Sequence, residues 1–496
     1  MISKLSSLSI AVVLLCQAAG AEGGAPPAGS FSLTTHSPQS RELLAKAWEL
    51  DLDQGEQVKA IAVLRKIVKT DPHFAMAHEI LSQCSRDPGE QVREQKAAWA
   101  TREDSSPAEQ LVIGWFQNAA DHKLIAAITD MNEVLNQYPH DKWVVFLANG
   151  WLTQQMQYER AAAVYENSGI TDSPGLIDSA AYTYANLHQF DKAFALMDKY
   201  VEMMPKVSNP QDSYGELLRL AGRYRDSVKH YQASLAINPR FYTSEYGIAD
   251  TYALMGDEAR ARTKYEIAFK KFPLPTLDRV QWKTREALTY VRDGDLNAAD
   301  SAFQAIAEYA SAHKMGQAEA DTYRQMAMYQ RDSRRSLELL DKAEHAIHQG
   351  QNAMRMTLDQ ELAQVLRTRV EVALKAGDKP LAHTTLRQLA KLTADSDDTV
   401  IETAYEGASG ALLFAAHKYK QSIPHLEADT DNPLSLRLLA SAYRRAGDFE
   451  GEKHIDEKLA SVNDPTLEQA LVVPAFRKCL ENPNCDSSFK TASVKH

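Results

Sequence analysis

The apolar positions between Tyr242 and Pro273 form two sets, each with the spacing of one helix face. Residues three or four positions apart lie on the same side of an α-helix. The first set is Ile248, Ala249 and Tyr252, and the second set is Ala261, Tyr265 and Ala268. Gly256 and Asp257 stand between the two sets and favour a turn. The pattern therefore predicts two short amphipathic helices that face each other in a hairpin.

The same pattern returns along much of the chain. A small residue recurs where the two helices of each hairpin approach most closely, and a large apolar residue follows four positions later in each case. The small positions are Ala60, Ala127, Ala161, Ala193, Ser227, Ala261, Ala299 and Ala382. Prolines, which cannot continue a helix interior, recur every 31 to 35 residues at Pro72, Pro107, Pro139, Pro174, Pro205, Pro239 and Pro273. Because one hairpin cannot bury its apolar face alone, copied hairpins are expected to stack on one another.

This pattern resembles the tetratricopeptide repeat (TPR) family, and in particular its exported bacterial members; the family's period is about 34 residues. The unit that ends at Pro273 carries the family's small and aromatic positions at Ala249, Tyr252, Ala261, Tyr265 and Ala268. The match weakens where Gln95 replaces the small residue, and the proline spacing is lost after Pro273. The resemblance implies an all-α fold: a right-handed α-solenoid of about a dozen TPR-like helix hairpins, curved into a superhelix.

Six segments follow from the repeats and from the composition of the two ends. Residues 1–21 are predicted as a signal peptide, and residues 22–38, rich in Gly, Pro and Ser, as a flexible linker. An N-terminal TPR array covers 39–273, longer irregular helical repeats cover 274–362, and C-terminal TPR-like repeats cover 363–465. Residues 466–496 break the rhythm and are predicted as a capping segment and a disordered tail. The capping residues would be Leu471, Val472, Val473 and Phe476.

The first residues are typical of an export signal. Lys4 precedes the apolar stretch LSIAVVLLC, and Ala19-Gly20-Ala21 matches the small-x-small cleavage pattern. We expect cleavage after Ala21 and an exported mature protein, either periplasmic or extracellular. A lipoprotein acylated at Cys16 is the alternative, although Leu15 stands where lipoprotein signals have Gly, Ala or Ser. No other segment is long and apolar enough to be a transmembrane helix.

The composition and charge narrow the class of partner. With 44% hydrophobic and 24% charged residues, the chain is expected to fold and not to be disordered. The formal net charge is -11, and the Lys and Arg residues are scattered along the sequence. A protein that binds nucleic acids or anionic membrane surfaces needs a basic face. We therefore predict a protein or peptide partner and no nucleic acid.

Two cysteines near the C-terminus are candidates for a disulfide. Cys479 and Cys485 flank the turn-rich stretch LENPN, and an exported protein meets an oxidising compartment. We predict a Cys479–Cys485 bridge; the alternative is two free thiols in the tail. Cys84 lies in a helical pattern and is expected to be a buried small apolar residue.

Catalytic signatures are almost absent from the sequence. His78-Glu79 opens the zinc-protease pattern, but Ser82 stands where its second histidine belongs. No G-x-S-x-G motif, phosphate-binding loop or cysteine pair with zinc spacing occurs. We therefore predict no enzymatic activity, no cofactor and no metal. The alternative is an enzyme whose site is assembled in the irregular middle segment from His313, Tyr323, His345 and His348.

The resemblance to the TPR family implies a concave groove lined by the first helix of each hairpin. Transferred to this sequence, the lining positions are Phe116, Trp143, Phe146, Asp178, Tyr182, Asp212, Glu216, Arg219, Tyr246 and Asp250. We expect the aromatic residues to supply apolar anchors and the acids to select basic side chains of a bound protein segment. The alternative for Trp143, Phe146 and Tyr182 is that they only pack between adjacent hairpins.

Together these expectations predict a non-enzymatic exported scaffold that binds a protein or peptide segment in its groove. By analogy with exported members of the family, its setting would be cell-envelope assembly or secretion. The alternative is a protein that binds glycans or small ligands through Trp115, Trp143 and Trp151.

Overall fold

The structure, a computed structural model, describes residues 31–350 and 352–481. Within these residues all regular secondary structure is helical, and no strand occurs. A π-helical turn, Glu49–Asp53, extends the first helix, and a 3-10 turn, Arg102–Asp104, follows the fourth. The α-helices are α1 Pro38–Trp48, α2 Gln57–Thr70, α3 Ala75–Cys84, α4 Pro88–Thr101, α5 Pro107–Ala120, α6 Leu124–Gln137, α7 Lys142–Gln154, α8 Tyr158–Ser168, α9 Pro174–Asn186, α10 Phe190–Met203, α11 Asn209–Leu220, α12 Tyr224–Ile237, α13 Tyr242–Leu254, α14 Glu258–Lys271, α15 Thr276–Asp293, α16 Leu296–Ala312, α17 Gly316–Tyr329, α18 Ser333–Gln349, α19 Arg355–Ala376, α20 Lys379–Ala394, α21 Thr399–Ala415, α22 Tyr419–Glu427, α23 Pro433–Ala446, α24 Phe449–Ala460 and α25 Leu467–Glu481.

Successive helices pair into hairpins. The described residues contain twelve pairs, from α1–α2 to α23–α24, and α25 stands alone at the end. Within the pair α13–α14, Tyr265 Oη donates to Asp250 Oδ1. The hairpin predicted between Tyr242 and Pro273 is confirmed as α13 and α14. The predicted turn at Gly256 and the further Gly-Asp turns at Gly294, Gly377 and Gly447 have φ between 76° and 85°, where glycine meets no steric penalty. The fold is therefore an all-α array of TPR-like helical hairpins.

The column of small residues lies where the sequence placed it. All eight of its side chains are 0% exposed, including the single serine, Ser227. A larger side chain at these positions would force the two helices of the hairpin apart, because protein interiors are close-packed. The regular recurrence of Ala in the sequence is thus explained by the contact between the helices.

The helices form two layers in each of two compact units, one ending at Gly247 and the other starting at Ile248. Most first helices contact the first helix of the next hairpin, as α7 contacts α9 and α19 contacts α21. We call this set the first-helix layer. Second helices contact the first helix of their own hairpin and that of the next one. Each apolar helix face is therefore covered by its neighbours, which is the source of stability in repeat arrays.

In the N-terminal unit, the end of the first hairpin's leading helix returns to later hairpins. We call Trp48–Glu56 the closing segment. The backbone N–H of Gly175, in α9, donates to Asp53 Oδ1 at 3.2 Å, and Tyr200 Oη, in α10, donates to the Asp53 carbonyl at 3.0 Å. The side chain of Asn238 donates to Glu56 Oε1 at 3.3 Å. The closing segment therefore joins residues more than a hundred positions apart in sequence.

Residues 31–37, the last part of the predicted linker, make specific contacts. The backbone N–H of Phe31 donates to Asp141 Oδ2 at 3.0 Å, and that of Thr34 donates to Glu109 Oε1 at 2.9 Å. These carboxylates sit at the starts of α7 and α5, where exposed backbone N–H groups favour negative charge. The Gly, Pro and Ser content of the linker did not indicate these contacts.

Several helices of the C-terminal unit are longer than those of the repeats before it. The helices α15, α16, α18 and α19 have 18, 17, 17 and 22 residues. Pro424 lies inside α22, which has only nine residues. The final helix, α25, packs against α15, α23 and α24. Of the predicted capping residues, Val472, Val473 and Phe476 are buried among α23 and α24, and Leu471 is partly buried.

Several sequence predictions concern the ends of the chain. The predicted signal peptide, Cys16 and most of the linker lie outside the described residues, as does Cys485. Cys479 is buried on α25. Because Cys485 is not among the described residues, the Cys479–Cys485 bridge stays a prediction. Among the described helices, none combines the length and apolarity that crossing a membrane requires.

Candidate functional site

The predicted groove residues lie on first helices, as expected, but most of them are covered. They belong to α5, α7, α9, α11 and α13, and nine of the ten are buried. The exception is Glu216, whose side chain is 14% exposed. Asp250 belongs to the C-terminal unit, and the other nine belong to the N-terminal unit. The prediction that they bind a partner stays a prediction, and the structure adds that binding would require them to be uncovered.

The aromatic part of the predicted groove is a packed cluster. Phe116 stacks on Trp115 with ring centroids 4.6 Å apart, and Trp115 meets Trp151 edge-on at 5.6 Å. Trp143 contacts Trp48 of the closing segment. The three tryptophans of the alternative glycan site are thus between 0% and 8% exposed. Glycan binding by stacking needs an open ring face, which none of these tryptophans offers in this conformation.

Glu216 connects the polar part of the groove. Tyr182 Oη donates to Glu216 Oε2 at 2.9 Å, and Arg219 Nη2 donates to Glu216 Oε1 at 2.8 Å. Both carboxylate oxygens are therefore occupied by donors from α9 and α11. Hydrogen bonds to a charged group are stronger than neutral ones, so this arrangement fixes the faces of the two helices.

A second polar chain connects the groove to the closing segment. Asn209 donates to Tyr200 Oη at 2.9 Å and lies 3.5 Å from Asp178 Oδ2. Tyr200 Oη in turn donates to the Asp53 carbonyl. Gly55 lies directly against Asn209, because a Cβ at Gly55 would be 2.3 Å from Asn209 Oδ1. The closing segment thus covers the starts of α9 and α11 through specific contacts.

Burial favours the neutral form of the acids in this region. Removal from water raises the pKa of Asp178 to about 8, although hydrogen bonds oppose the shift. Burial likewise raises the pKa of Asp212 and that of Asp53 to about 7. Selection of basic side chains by Asp178 or Asp212 would therefore need water or a cation to reach these carboxyls first.

Asp250 is paired within the C-terminal unit. Arg285 Nη1 lies 3.3 Å from Asp250 Oδ2, and Tyr265 Oη donates to Asp250 Oδ1. The Asp250 side chain is only 3% exposed. A partner's basic side chain would have to replace Arg285 at this carboxylate.

Each of the three histidines of the alternative catalytic site contacts a residue of its own helix or of that helix's last turn. His313 lies beside its own helix, 2.8 Å from the Tyr309 carbonyl. His345 bonds to Gln349 on the same helix, and His348 lies 3.9 Å from Glu344, again one turn away. In the described part of the chain, no group of three or more His, Cys, Asp or Glu residues is arranged to hold a metal ion.

Two buried ion pairs in the C-terminal unit were not predicted. Arg324 Nε, in α17, donates to Glu361 Oε1 in α19 at 2.9 Å. Arg367 Nη2, in α19, lies 2.6 Å from Asp429 Oδ2. All four side chains are at most 5% exposed. The residues of the first pair are 37 positions apart, so the spacing within one helix could not indicate the partner.

No protein-family model and no curated protein matches the chain. Among solved structures, a tetratricopeptide repeat protein from Parabacteroides merdae is 16% identical, with 62% of this chain and 99% of that chain covered and a TM-score of 0.35. Yeast Tom70 is 14% identical, with 92% and 98% covered and a TM-score of 0.38. Cut9, in the Cut9–Hcn1 assembly of the APC/C, is 13% identical, with 82% and 76% covered and a TM-score of 0.40. Similarities with such scores identify neither a partner nor an activity.

Proposed function

We propose that this chain is a non-enzymatic exported scaffold that binds a segment of another protein on its first-helix layers. One observation carries the proposal. Each unit already holds a segment of its own chain against first helices: the closing segment, which connects α1 to α2, meets α9, and α25, which has no hairpin partner, meets α15 and α23. The exposed ends and faces of stacked helices thus suit the binding of linear segments, which is how repeat arrays commonly recognise partners.

The contacts to residues 31–37 indicate how an extended segment is held. Carboxylates of Asp141 and Glu109 accept backbone N–H groups of Phe31 and Thr34. Such bonds do not depend on the side chains of the bound segment. Specificity would then come from side chains such as Glu216, the predicted groove residue that water reaches. A protein partner is favoured over a nucleic acid because the net charge is -11.

The test uses a variant that changes charge and keeps shape. Glu216→Gln removes the negative charge beside Arg219 and retains a hydrogen-bonding side chain of the same size. The tagged mature chain is used to isolate partners from cell-envelope fractions, and the affinity of each purified partner is then measured with both proteins. We expect Glu216→Gln to weaken binding about tenfold, the usual effect of losing one charged contact. Glu266→Gln, on the exposed surface of α14, is the matched control and should bind normally.

Two results would contradict the proposal. The first is that no protein is enriched above the untagged background. The second is that Glu216→Gln binds every recovered partner as tightly as Glu266→Gln does.

Export is the second part of the proposal. The mass of the mature N-terminus should correspond to cleavage after Ala21, leaving Glu22 first. A lipid-modified Cys16 would support the lipoprotein alternative, and an intact Met1 would contradict export.

A further inference from the structure

The last helix, α25, occupies a position that a repeat helix would not. It follows α24 in sequence, yet it contacts α15 as well as α23. The helices from α15 to α24 form a series of five hairpins. The helix α25 contacts the first and the last hairpin of this series. It therefore lies on the first-helix layer of the C-terminal unit, where a bound segment of another protein would lie.

The first turn of α25 is held by polar contacts. Glu468 Oε1 lies 3.6 Å from Arg324 Nη1, on α17, and the Arg292 guanidinium, on α15, donates to Gln469 Oε1. Leu467, beside them, is 2% exposed and joins the apolar cluster of α15 to α19. An acid in the first helical turn is also favoured by the helix dipole.

The middle of α25 is held by apolar contacts. Val472, Val473 and Phe476 are between 0% and 5% exposed and pack among the side chains of α23 and α24. If α25 left this surface and no other helix replaced it, these three side chains and the apolar side chains that they cover would be exposed to water. A bare surface is therefore unfavourable, and α25 can only leave in exchange for a helix that buries a similar area.

Two features make such an exchange feasible. Arg324 keeps Glu361 and Asp321 as partners when Glu468 leaves, so no buried charge is left alone. Pro474 lies inside α25, where it removes one backbone hydrogen bond and weakens the helix.

From these contacts we propose that the surface formed by α15, α17, α23 and α24 is a helix-binding site, which α25 occupies until a partner helix replaces it. The partner segment is an amphipathic helix with an acid in its first turn, placed to reach Arg324, and apolar residues one and two turns later. This inference rests on the proposed scaffold function and specifies the chemistry of its partner. The sequence of α25 itself is the best available probe of the site.

The test measures exchange with a labelled peptide of residues 464–478. Its binding is followed by fluorescence anisotropy on three full chains: wild type, Glu468→Lys and Glu481→Lys. Glu468→Lys places a second cation beside Arg324 and loosens α25, whereas Glu481→Lys changes an exposed residue at the other end of the same helix. We expect the peptide to bind Glu468→Lys at least tenfold more tightly than it binds the other two chains. A peptide that itself carries Glu468→Lys should not bind.

Other outcomes overturn the proposal. Equal binding to all three chains places the peptide elsewhere, and no binding to a folded Glu468→Lys chain makes α25 a fixed cap. If Glu468→Lys does not fold, amide hydrogen exchange of the wild type decides: α25 must open before α15 and α17 do, and opening only with the whole unit overturns the proposal. A dimer of the wild type that Glu468→Lys abolishes would mean that a second copy supplies the helix, which also overturns it.

The peptide test is independent of any natural partner. If envelope fractions yield no partner but the peptide exchanges, then the scaffold function fails and the helix-binding site stands. If partners are recovered but the peptide does not exchange, then only the present inference fails.

Discussion

The buried carboxyl of Asp178 gives a prediction with a definite sign. The Asp178 residue is 3% exposed, and burial raises the pKa of its carboxyl to about 8, whereas an unfolded aspartate has a pKa of about 3.9. Between these two values the folded chain holds a proton that the unfolded chain has lost. Stability therefore falls as the pH rises through this window, by up to about 1.4 kcal/mol per pH unit for this one group. Between pH 6 and pH 7.5 the loss amounts to about 2 kcal/mol.

The variant Asp178→Asn removes the titration and keeps a neutral side chain of the same shape. We expect the free energy of unfolding of Asp178→Asn to depend less steeply on pH than that of the wild type. The difference in slope should approach the value given above. A slope should remain in the variant, because burial also raises the pKa of Asp212 and that of Asp53 to about 7.

The measurement is urea unfolding followed by tryptophan fluorescence at pH 6 and pH 7.5. Five of the six tryptophans precede Gly247, so the signal reports mainly on the N-terminal unit. Asp226→Asn is the control, because nearby Lys229 and Arg223 lower the pKa of that exposed carboxyl and it does not titrate in this range. Identical slopes for wild type and Asp178→Asn would refute the reasoning, since they would mean that Asp178 is already charged in the folded chain.

Three further predictions concern stability. Gly55→Ala should lower the free energy of unfolding in urea by about 2–4 kcal/mol, because φ is +62° and the new Cβ would overlap the Asn209 amide. The control Gly169→Ala, with φ +65° and open space, should lower it by about 1 kcal/mol. Equal losses would contradict the packing of the closing segment. Arg367→Met should destabilise the chain by about 3–5 kcal/mol, because it leaves the buried Asp429 without its cation. Adding Asp429→Leu should recover most of this loss, as measured by thermal unfolding. A double variant as unstable as the single one would exclude this cause. Ser106→Ala should cost about 1 kcal/mol by removing the capping box of α5, as measured by urea unfolding, and no change would show that water replaces the cap.

The hairpins could be predicted from the sequence because their signals are local. A small residue is followed by a large residue one helical turn later, as at Ala261 and Tyr265. The Gly-Asp turn at Gly256 lies between the two helices that it connects. Short-range spacing of this kind is sufficient to define which face of each helix is apolar. The resemblance to the TPR family placed the candidate groove residues on first helices, where the structure has them.

The exposure of those residues could not be predicted in this way. Asp178 and Tyr182 occupy groove positions of the repeat, yet they are buried together with the starts of α9 and α11, which the closing segment covers. The contact from Tyr200 to Asp53 joins residues 147 positions apart. Nothing in either local sequence indicates this pairing.

The sequence by itself therefore determined the repeating hairpin, its turns and its apolar faces, whereas the tertiary structure decided which of the remaining faces meet water. The physical reason is that a helix face is set by residues three or four positions apart. The small rotation between neighbouring hairpins, in contrast, accumulates over a whole unit. Only this accumulated geometry brings the closing segment and α25 onto first helices. The acids of the N-terminal unit are thereby buried, and the surface around Arg324 is occupied.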